Sequence, residues 1–169
     1  HIIRNRKGAQ PVTERALKAL ASAIFLARRQ VNTADLTDDD QKIRVSGLYD
    51  DWTLGKYAVG DIRNTGGQTW ECFQAHDNAT YPDITPDSAA WFTFWRPLHG
   101  KTPETARPFV PVQGSHDMYR AGEYMIWTDG AAPSAESGAP QSTVYRCIAP
   151  DGTNFSPVDY PQAWEEVTA

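Results

Sequence analysis

The chain has few of the residues that mark several common classes of protein. It contains two cysteines and four histidines in 169 residues, and none of them has the Cys-x2-Cys or His-x3-His spacing of a zinc site. No stretch reaches the ~20 consecutive apolar residues that span a bilayer. The net charge of −5 argues against binding to nucleic-acid phosphates, which requires clustered Lys and Arg. We therefore expect no metal, no cofactor, no membrane span and no nucleic-acid partner.

Signatures of catalysis are also missing. The sequence has no nucleophile elbow, no Gly-rich phosphate loop and no Cys/His arrangement of a hydrolase. The acidic runs at 38–40 and 50–51 lack the ligand spacing of a calcium loop. A glycosidase needs two carboxylates across a cleft, for which short modules leave little room. We expect a protein that is not an enzyme.

Residues 11–45 predict a helical segment, with Thr13 as a candidate N-cap. Apolar residues then recur at spacings of three and four, which is a heptad-like seam. These are Leu17, Leu20, Ile24, Ala27 and Val31. A second apolar row lies beside them, so the helix must be covered on more than one side. Either the chain's own modules cover it, or its copies or a larger assembly do; the small size of the modules favours the second alternative.

The apolar run at 19–27 follows a basic start, as in a signal peptide. Arg28 and Arg29 follow it directly, where a small-residue cleavage site would be needed. We therefore interpret this run as part of a fixed helix, with no signal peptide.

Two stretches after the helix repeat one order of residues: a Tyr-x2-Gly-acid motif, an aromatic-x-Cys motif, a Pro and a Trp. The first copy has Tyr57-x2-Gly60-Asp61, Trp70-x-Cys72, Pro86 and Trp91, and the second has Tyr119-x2-Gly122-Glu123, Tyr145-x-Cys147, Pro157 and Trp164. The stretch 62–72 predicts two short strands joined by a turn at 64–67. Cys72 and Cys147 hold equivalent positions, so each should face its own core as a free thiol.

The predicted fold class is mainly β with an N-terminal α-helix, in which two small antiparallel β modules stand in tandem. The predicted division is a helical assembly segment at 1–45, a first module at 46–100 and a second module at 107–167. A run of small residues, Gly and Pro at about 129–142 predicts an insertion loop in the second module.

The order Trp, Tyr-x2-Gly-Asp, turn, aromatic-x-Cys, Pro and closing Trp resembles the chitin-binding type 3 modules, which are carbohydrate-binding module families 5 and 12. It resembles more closely the tandem copies of that module at the ends of phage and prophage tail proteins, where a helical lead-in precedes the first module. The second copy carries the motifs of that group as Gly114-Ser115-His116-Asp117-Met118-Tyr119-Arg120-Ala121-Gly122, Asn154-Phe155-Ser156-Pro157 and Tyr160-Pro161-Gln162-Ala163-Trp164-Glu165. The resemblance covers about residues 45–166.

This resemblance implies a compact fold of a few short antiparallel strands around a Trp/Tyr core, and a binding role for some members. In true chitin binders an adjacent pair of Trp follows the aromatic-x-Cys motif and stacks on sugar rings. The matching stretch 75–81 has no such pair, and Glu123 stands where Asp is usual.

Sugar recognition needs exposed flat rings, because the C–H face of a pyranose packs on an aromatic ring while polar groups bond its hydroxyls. The candidate carbohydrate contacts are the aromatic residues Tyr81, Trp95, Phe155 and Tyr160, with the polar neighbours Asp77, Asn78, Asp151 and Asn154. Most other aromatics should fill two undersized cores. These are Trp52, Tyr57, Trp70, Trp91, Tyr119, Tyr145 and Trp164.

Two functions remain open from the sequence. The first is a non-catalytic tail or fibre component of a phage or prophage particle, located in the virion or, during assembly, in the bacterial cytoplasm. Its modules would recognise a polysaccharide or glycan of the bacterial surface, and its helix would bind other tail proteins or form a homo-oligomer, with a trimer favoured. The alternative is a purely structural assembly protein whose modules no longer bind sugar. A targeting appendage of a secreted chitinase fits the module, but neither the helix nor the missing Trp pair.

Overall fold

The computed structural model describes residues 12–33, 36–111, 117–128 and 142–168. The chain divides into two compact units, His1–Ala34 and Asp35–Ala169. The predicted insertion loop at 129–142 lies outside the described residues except for its last position.

The described part of the first unit, residues 12–33, forms the helix α1 at Glu14–Thr33. Thr13 caps its N-terminus as predicted: its hydroxyl Oγ1 accepts the Ala16 N–H at 3.1 Å, and its carbonyl accepts the Leu17 N–H at 3.0 Å. Glu14 and Lys18 form an i,i+4 ion pair at 3.0 Å on the exposed surface. Such a pair adds a few tenths of a kcal/mol to the helix, so the helix end is specified locally.

The second unit begins with a short helix, α2, at Asp39–Arg44. The side chain of Asp38 accepts the Asp40 N–H at 2.8 Å and caps it. The predicted helical segment ran to residue 45, whereas the compact N-terminal unit ends at Ala34. The helix α2 therefore groups with the β-rich unit, where it packs through Ile43 and Lys42, both buried.

Nine short strands follow among the described residues, and the structure is β-rich with one long N-terminal helix, as expected. They are β1 Lys56–Tyr57, β2 Ile62–Thr65, β3 Gln68–Cys72, β4 His76–Asp77, β5 Trp95–Pro97, β6 Arg107–Pro108, β7 Tyr124–Thr128, β8 Ser142–Cys147 and β9 Trp164–Glu166. Single 3₁₀ turns occur at Ser46–Leu48, Trp91–Thr93, Pro103–Thr105 and Pro161–Ala163.

The strands form three small sheets, in the orders β1-β4, β2-β3-β5 and β6-β7-β8-β9. All pairs are antiparallel except β6 with β7, which are parallel. The predicted hairpin at 62–72 is present, but its turn is confined to Gly66 and Gly67, with φ of 63° and 73°. Asn64 lies inside the ladder opposite Thr69. Two consecutive positive φ angles suit a tight hairpin turn, and glycine adopts them without steric cost.

The two modules repeat one backbone pattern around their cysteines. Gly60 N–H donates to Cys72 O, and Gly122 N–H donates to Cys147 O, both at 2.8 Å. In the sheet registers, Cys72 lies opposite Trp95 and Cys147 lies opposite Trp164. The structural counterpart of Trp164 is therefore Trp95, whereas the sequence order had paired Trp164 with Trp91.

Each module has its own aromatic core. The first consists of Tyr57, Trp70, Cys72, Trp91, Phe94, Trp95 and Val110, and the second of Tyr119, Met125, Cys147, Ala163 and Trp164. Both cysteines are buried free thiols, as predicted. Phe109 packs on the second core and its neighbour Val110 on the first, because successive side chains of an extended segment point to opposite faces. One dipeptide thus joins the two cores.

Polar contacts of Arg96 and His99 also join α2 and the two modules. The Arg96 guanidinium on β5 makes a two-pronged contact with the Asp39 carboxylate, at 3.0 and 2.6 Å, and reaches Glu71 at 3.2 Å. On its other side it lies 3.8 Å from the carboxylate of Asp117, at the start of the second module. His99 and Glu123, one from each module, pair at 2.5 Å. These contacts connect α2, the first module and the second module within the β-rich unit.

Candidate functional site

The clearest exposed aromatic pair lies on the connection from β8 to β9 in the second module. Phe155 is 54% exposed and Tyr160 is 46% exposed. Their ring centroids are 6.2 Å apart, with the planes inclined at 60°. Val158, between them in sequence, is 67% exposed. The three side chains make this connection an apolar surface feature in which aromatic rings dominate.

The backbone of this connection is fixed by hydrogen bonds. The Trp164 indole Nε1–H donates to Phe155 O at 3.0 Å, and the Phe155 N–H donates to Thr153 Oγ1 at 3.1 Å. The Tyr160 N–H donates to Ser156 O at 2.9 Å. The exposed rings therefore stand on a connection that the buried Trp164 holds in place, and binding to them would require little ordering of the backbone.

Asn154 and Asp151 are the polar residues closest in sequence to this pair. Asn154 is half-buried and Asp151 is exposed. Thr153, next to Asn154, forms a β-bridge with Tyr119, which ties the connection to the core. The polar groups that would accompany ring stacking are thus present near Phe155.

The matching connection of the first module, from β3 to β5, exposes Tyr81. This ring is 47% exposed and its centroid lies 5.4 Å from that of the buried Phe94. Phe92 on the same connection is 38% exposed, and sequence reasoning had missed it. The half-buried Asp77 lies at the start of this connection, where its carboxylate accepts the Ala79 N–H at 2.9 Å. Both modules thus expose aromatic rings between the cysteine strand and the closing Trp strand.

Trp95 and Asn78, two of the predicted sugar contacts, are corrected by the structure: both are 0% exposed. Trp95 lies opposite Cys72 in the sheet and packs edge-on against Tyr57 at 4.9 Å. Asn78 is bound inside its own connection: its N–H donates to Gly55 O at 3.1 Å and its Nδ2 donates to Ile84 O at 3.3 Å. Trp95 closes the first core and Asn78 shapes the connection, so neither is available to a ligand in this conformation.

A cavity of about 330 Å³ lies between the two modules, beside the buried indoles of Trp70 and Trp91. Phe109, Val110 and Pro111 form its other wall. Aromatic and proline side chains are typical of clefts that accept apolar ligand faces.

Cys72 and His76 lie close enough to be considered as a reactive pair, with Sγ 3.7 Å from Nδ1. Burial raises the pKa of the Cys72 thiol to about 11, so the thiol stays protonated at neutral pH and is a poor nucleophile. The imidazole Nδ1 lies 2.9 Å from Gln74 O, and the ring stacks on Phe94 at 4.0 Å. The geometry is that of a packed core pair. Burial likewise raises the pKa of the Cys147 thiol.

Over residues 12–33, 36–111, 117–128 and 142–168, no group of three or more His, Cys, Asp or Glu side chains is placed to hold a metal ion. Within the same ranges, no helix combines the length and the apolar character that crossing a membrane requires.

The predicted assembly seam runs along α1. Leu17, Leu20 and Ile24 are 54%, 57% and 38% exposed, and Ala27 is half-buried. The side chain of Val31 lies outside the described residues. Leu26, on the neighbouring row, is 58% exposed, and Phe25, on the row that also carries Lys18 and Ser22, is 65% exposed. Such a concentration of exposed large apolar side chains on one helix is typical of a surface that a partner covers.

A scan against protein-family models matches no family, and a search of curated proteins finds no significant match.

Proposed function

We propose that this chain is a non-catalytic tail or fibre component of a phage or prophage particle, whose β modules recognise glycans on a bacterial surface. One observation carries this proposal: Phe155 and Tyr160 are both about half exposed and stand side by side on a connection fixed by the buried Trp164. Rings that are exposed and rigidly supported offer the flat apolar faces on which sugars stack.

The first module supports the same proposal with Tyr81, which stands on the equivalent connection. The overall affinity for a glycan increases when several weak sugar-binding sites bind it at the same time. Two modules in one compact unit, multiplied by assembly of the chain, would provide that multiplicity.

Assembly is the proposed role of α1. Leu17, Leu20 and Ile24 expose the apolar seam expected of a helix that packs on its copies or on other tail proteins. A trimer is the favoured state. Deleting residues 1–35 should leave the β-rich unit folded but monomeric, and mass measurement in solution would show this. A monomeric full-length chain at micromolar concentration would overturn the assembly role.

The alternative function is structural, with modules that pack only against neighbouring proteins. The absence of an adjacent Trp pair at 75–81 favours it. A glycan array that includes bacterial polysaccharides and chitin oligomers separates the two functions. Sugar recognition predicts a hit that Phe155→Ala or Tyr81→Ala weakens, while Leu54→Ala, which removes an exposed apolar side chain of the first module, leaves it unchanged. An array with no hit would favour the structural function.

A further inference from the structure

A second, polar pocket lies at the junction of the modules and contains an arginine that has no carboxylate partner among the described residues. Its volume is about 200 Å³, and it is lined by Ser46, Gly47, Asn64, Gly67, Gln68, Thr69 and Arg107. The lining consists of hydroxyl and amide groups, two glycines and one guanidinium. Such a lining suits a small polar ligand rather than an apolar one.

Arg107 belongs to β6, where the strand fixes its backbone beside Met125. Its guanidinium makes two hydrogen bonds to neutral acceptors: Nη2 donates to Ser46 Oγ at 3.1 Å, and Nη1 donates to Ala106 O at 3.4 Å. A guanidinium has five N–H groups, so most of its donor capacity remains unused by these bonds.

The electrostatic state of Arg107 differs from that of the other half-buried arginine at the module junction. Arg96 is surrounded by Asp39, Glu71 and Asp117, and their charges and hydrogen bonds raise its pKa although burial opposes this. Burial lowers the pKa of Arg107, and no described carboxylate offsets the effect. A partly desolvated cation without a counter-charge is costly unless a ligand supplies the anion.

We infer that the Arg107 pocket binds an oxyanion borne by an acidic surface glycan, either the carboxylate of a uronic acid or the phosphate of a polyol-phosphate polymer. The guanidinium would form a bidentate contact with two ligand oxygens, while the Ser46 hydroxyl donates a further hydrogen bond. This inference rests on the proposed function, since it names the class of glycan recognised. It adds an anion-binding site to the exposed aromatic rings that are proposed to stack on sugars.

Nuclear magnetic resonance of the full ¹⁵N-labelled chain tests this inference, with sodium glucuronate, sn-glycerol 3-phosphate, and neutral glucose and glycerol as probes. A saturable shift of the Gly47, Gly67 and Thr69 amides with either anion, and none with the neutral compounds, is expected. A response to glucuronate alone assigns a carboxylate ligand, and a response to glycerol phosphate alone assigns a phosphate ligand. Absence of a response to both anions overturns the inference.

The variant Arg107→Gln should weaken anion binding at least about tenfold, because a charged bidentate donor is replaced by a neutral one. Arg63→Gln is the matched control, since Arg63 is also half-buried but lies 5.3 Å over the Tyr57 ring, outside the pocket. If Arg107→Gln does not fold, Ser46→Ala retains the guanidinium and should still weaken binding about threefold or more. Unchanged binding in a folded Arg107→Gln or Ser46→Ala chain overturns the inference.

The variant Phe155→Ala distinguishes this inference from the proposal that exposed aromatic rings stack on sugars. Phe155→Ala should retain the anion-induced shifts at Gly47 and Gly67, because Phe155 does not line the pocket. Loss of glycan-array binding in Phe155→Ala with intact anion binding supports both proposals. If the wild-type chain binds the anions but gives no hit on the glycan array, the oxyanion pocket is supported and the proposed stacking on glycans is rejected.

Discussion

Replacing Arg96 by methionine tests whether ion pairs hold the β-rich unit together. The substitution keeps the length of the side chain but removes two hydrogen bonds to Asp39 and one to Glu71. Breaking a buried ion pair by removing one partner costs roughly 3–5 kcal/mol. The two carboxylates retain other donors, the His99 N–H at 3.3 Å for Asp39 and Lys42 Nζ at 2.5 Å for Glu71. We therefore expect a smaller loss, about 2–3 kcal/mol of unfolding free energy.

Urea denaturation at neutral pH measures this loss, and a thermal scan should show a fall of roughly 10 °C in the melting temperature. Asp39→Asn should cost a similar amount, and the double variant should cost less than the sum, since both remove one interaction. Arg146→Met is the matched control, because the Arg146–Glu165 pair lies on the surface and should affect stability little. A loss below about 0.5 kcal/mol for Arg96→Met would refute the role of the Arg96 ion pairs in holding the β-rich unit together, because that is the magnitude of an exposed ion pair.

Three further predictions follow from burial, backbone geometry and pH. Trp95→Ala should cost about 3–5 kcal/mol in urea denaturation, because a fully buried indole is lost; a loss below 1 kcal/mol would contradict its assignment to the core. Gly152→Ala should cost about 1–3 kcal/mol in the same assay, since φ is +79° and a Cβ would lie 2.7 Å from Tyr119 O; an unchanged midpoint would show that the turn relaxes freely. Burial opposes ionisation of Asp39 and Asp40, but hydrogen bonds and nearby cations outweigh it and lower both pKa values. The stabilisation that these carboxylates provide is therefore present above about pH 4 and is lost as the pH falls through their folded-state pKa values. Thermal scans in acid should show a smaller pH dependence of the melting temperature for Asp39→Asn than for the wild type, and an identical dependence would contradict this.

The sequence predicted the features that local rules determine. Thr13 marks the helix start because its hydroxyl satisfies a backbone N–H within three residues. The strands around Gly66 and Gly67 follow from a glycine turn between residues of high strand propensity. The equivalence of Cys72 and Cys147 was predicted from the order of residues that the two modules repeat. In the structure, the carbonyl of each cysteine accepts the same hydrogen bond, from Gly60 and from Gly122 respectively.

The core position of Trp95 could not be predicted in the same way. Trp91 and Trp95 lie four residues apart after an irregular connection, and only the strand register places Trp95 opposite Cys72. That register depends on backbone pairing across the sheet rather than on local pattern. Sequence reasoning therefore placed Trp95 among the exposed rings.

Long-range polar contacts were equally invisible in the sequence. Asp39 and Arg96 are distant in the chain, as are Ser46 and Arg107, and nothing in their local sequence indicates a partner. The acidic run at 38–40 carries no local sign of a partner, but Asp39 binds Arg96 of the first module and Asp40 binds Lys101 and Thr105 of the segment that follows it. Contacts of this kind arise only when the tertiary fold brings distant segments together.

The most direct test of sugar recognition is the dissociation constant of the full chain for a glycan that scores on the array, compared between wild type, Phe155→Ala and Leu54→Ala. Loss of a central stacking ring should weaken binding about tenfold, which corresponds to about 1.4 kcal/mol, while Leu54→Ala should bind as the wild type does. Equal affinities for Phe155→Ala and wild type, or no glycan bound at millimolar concentration, would contradict the proposed function.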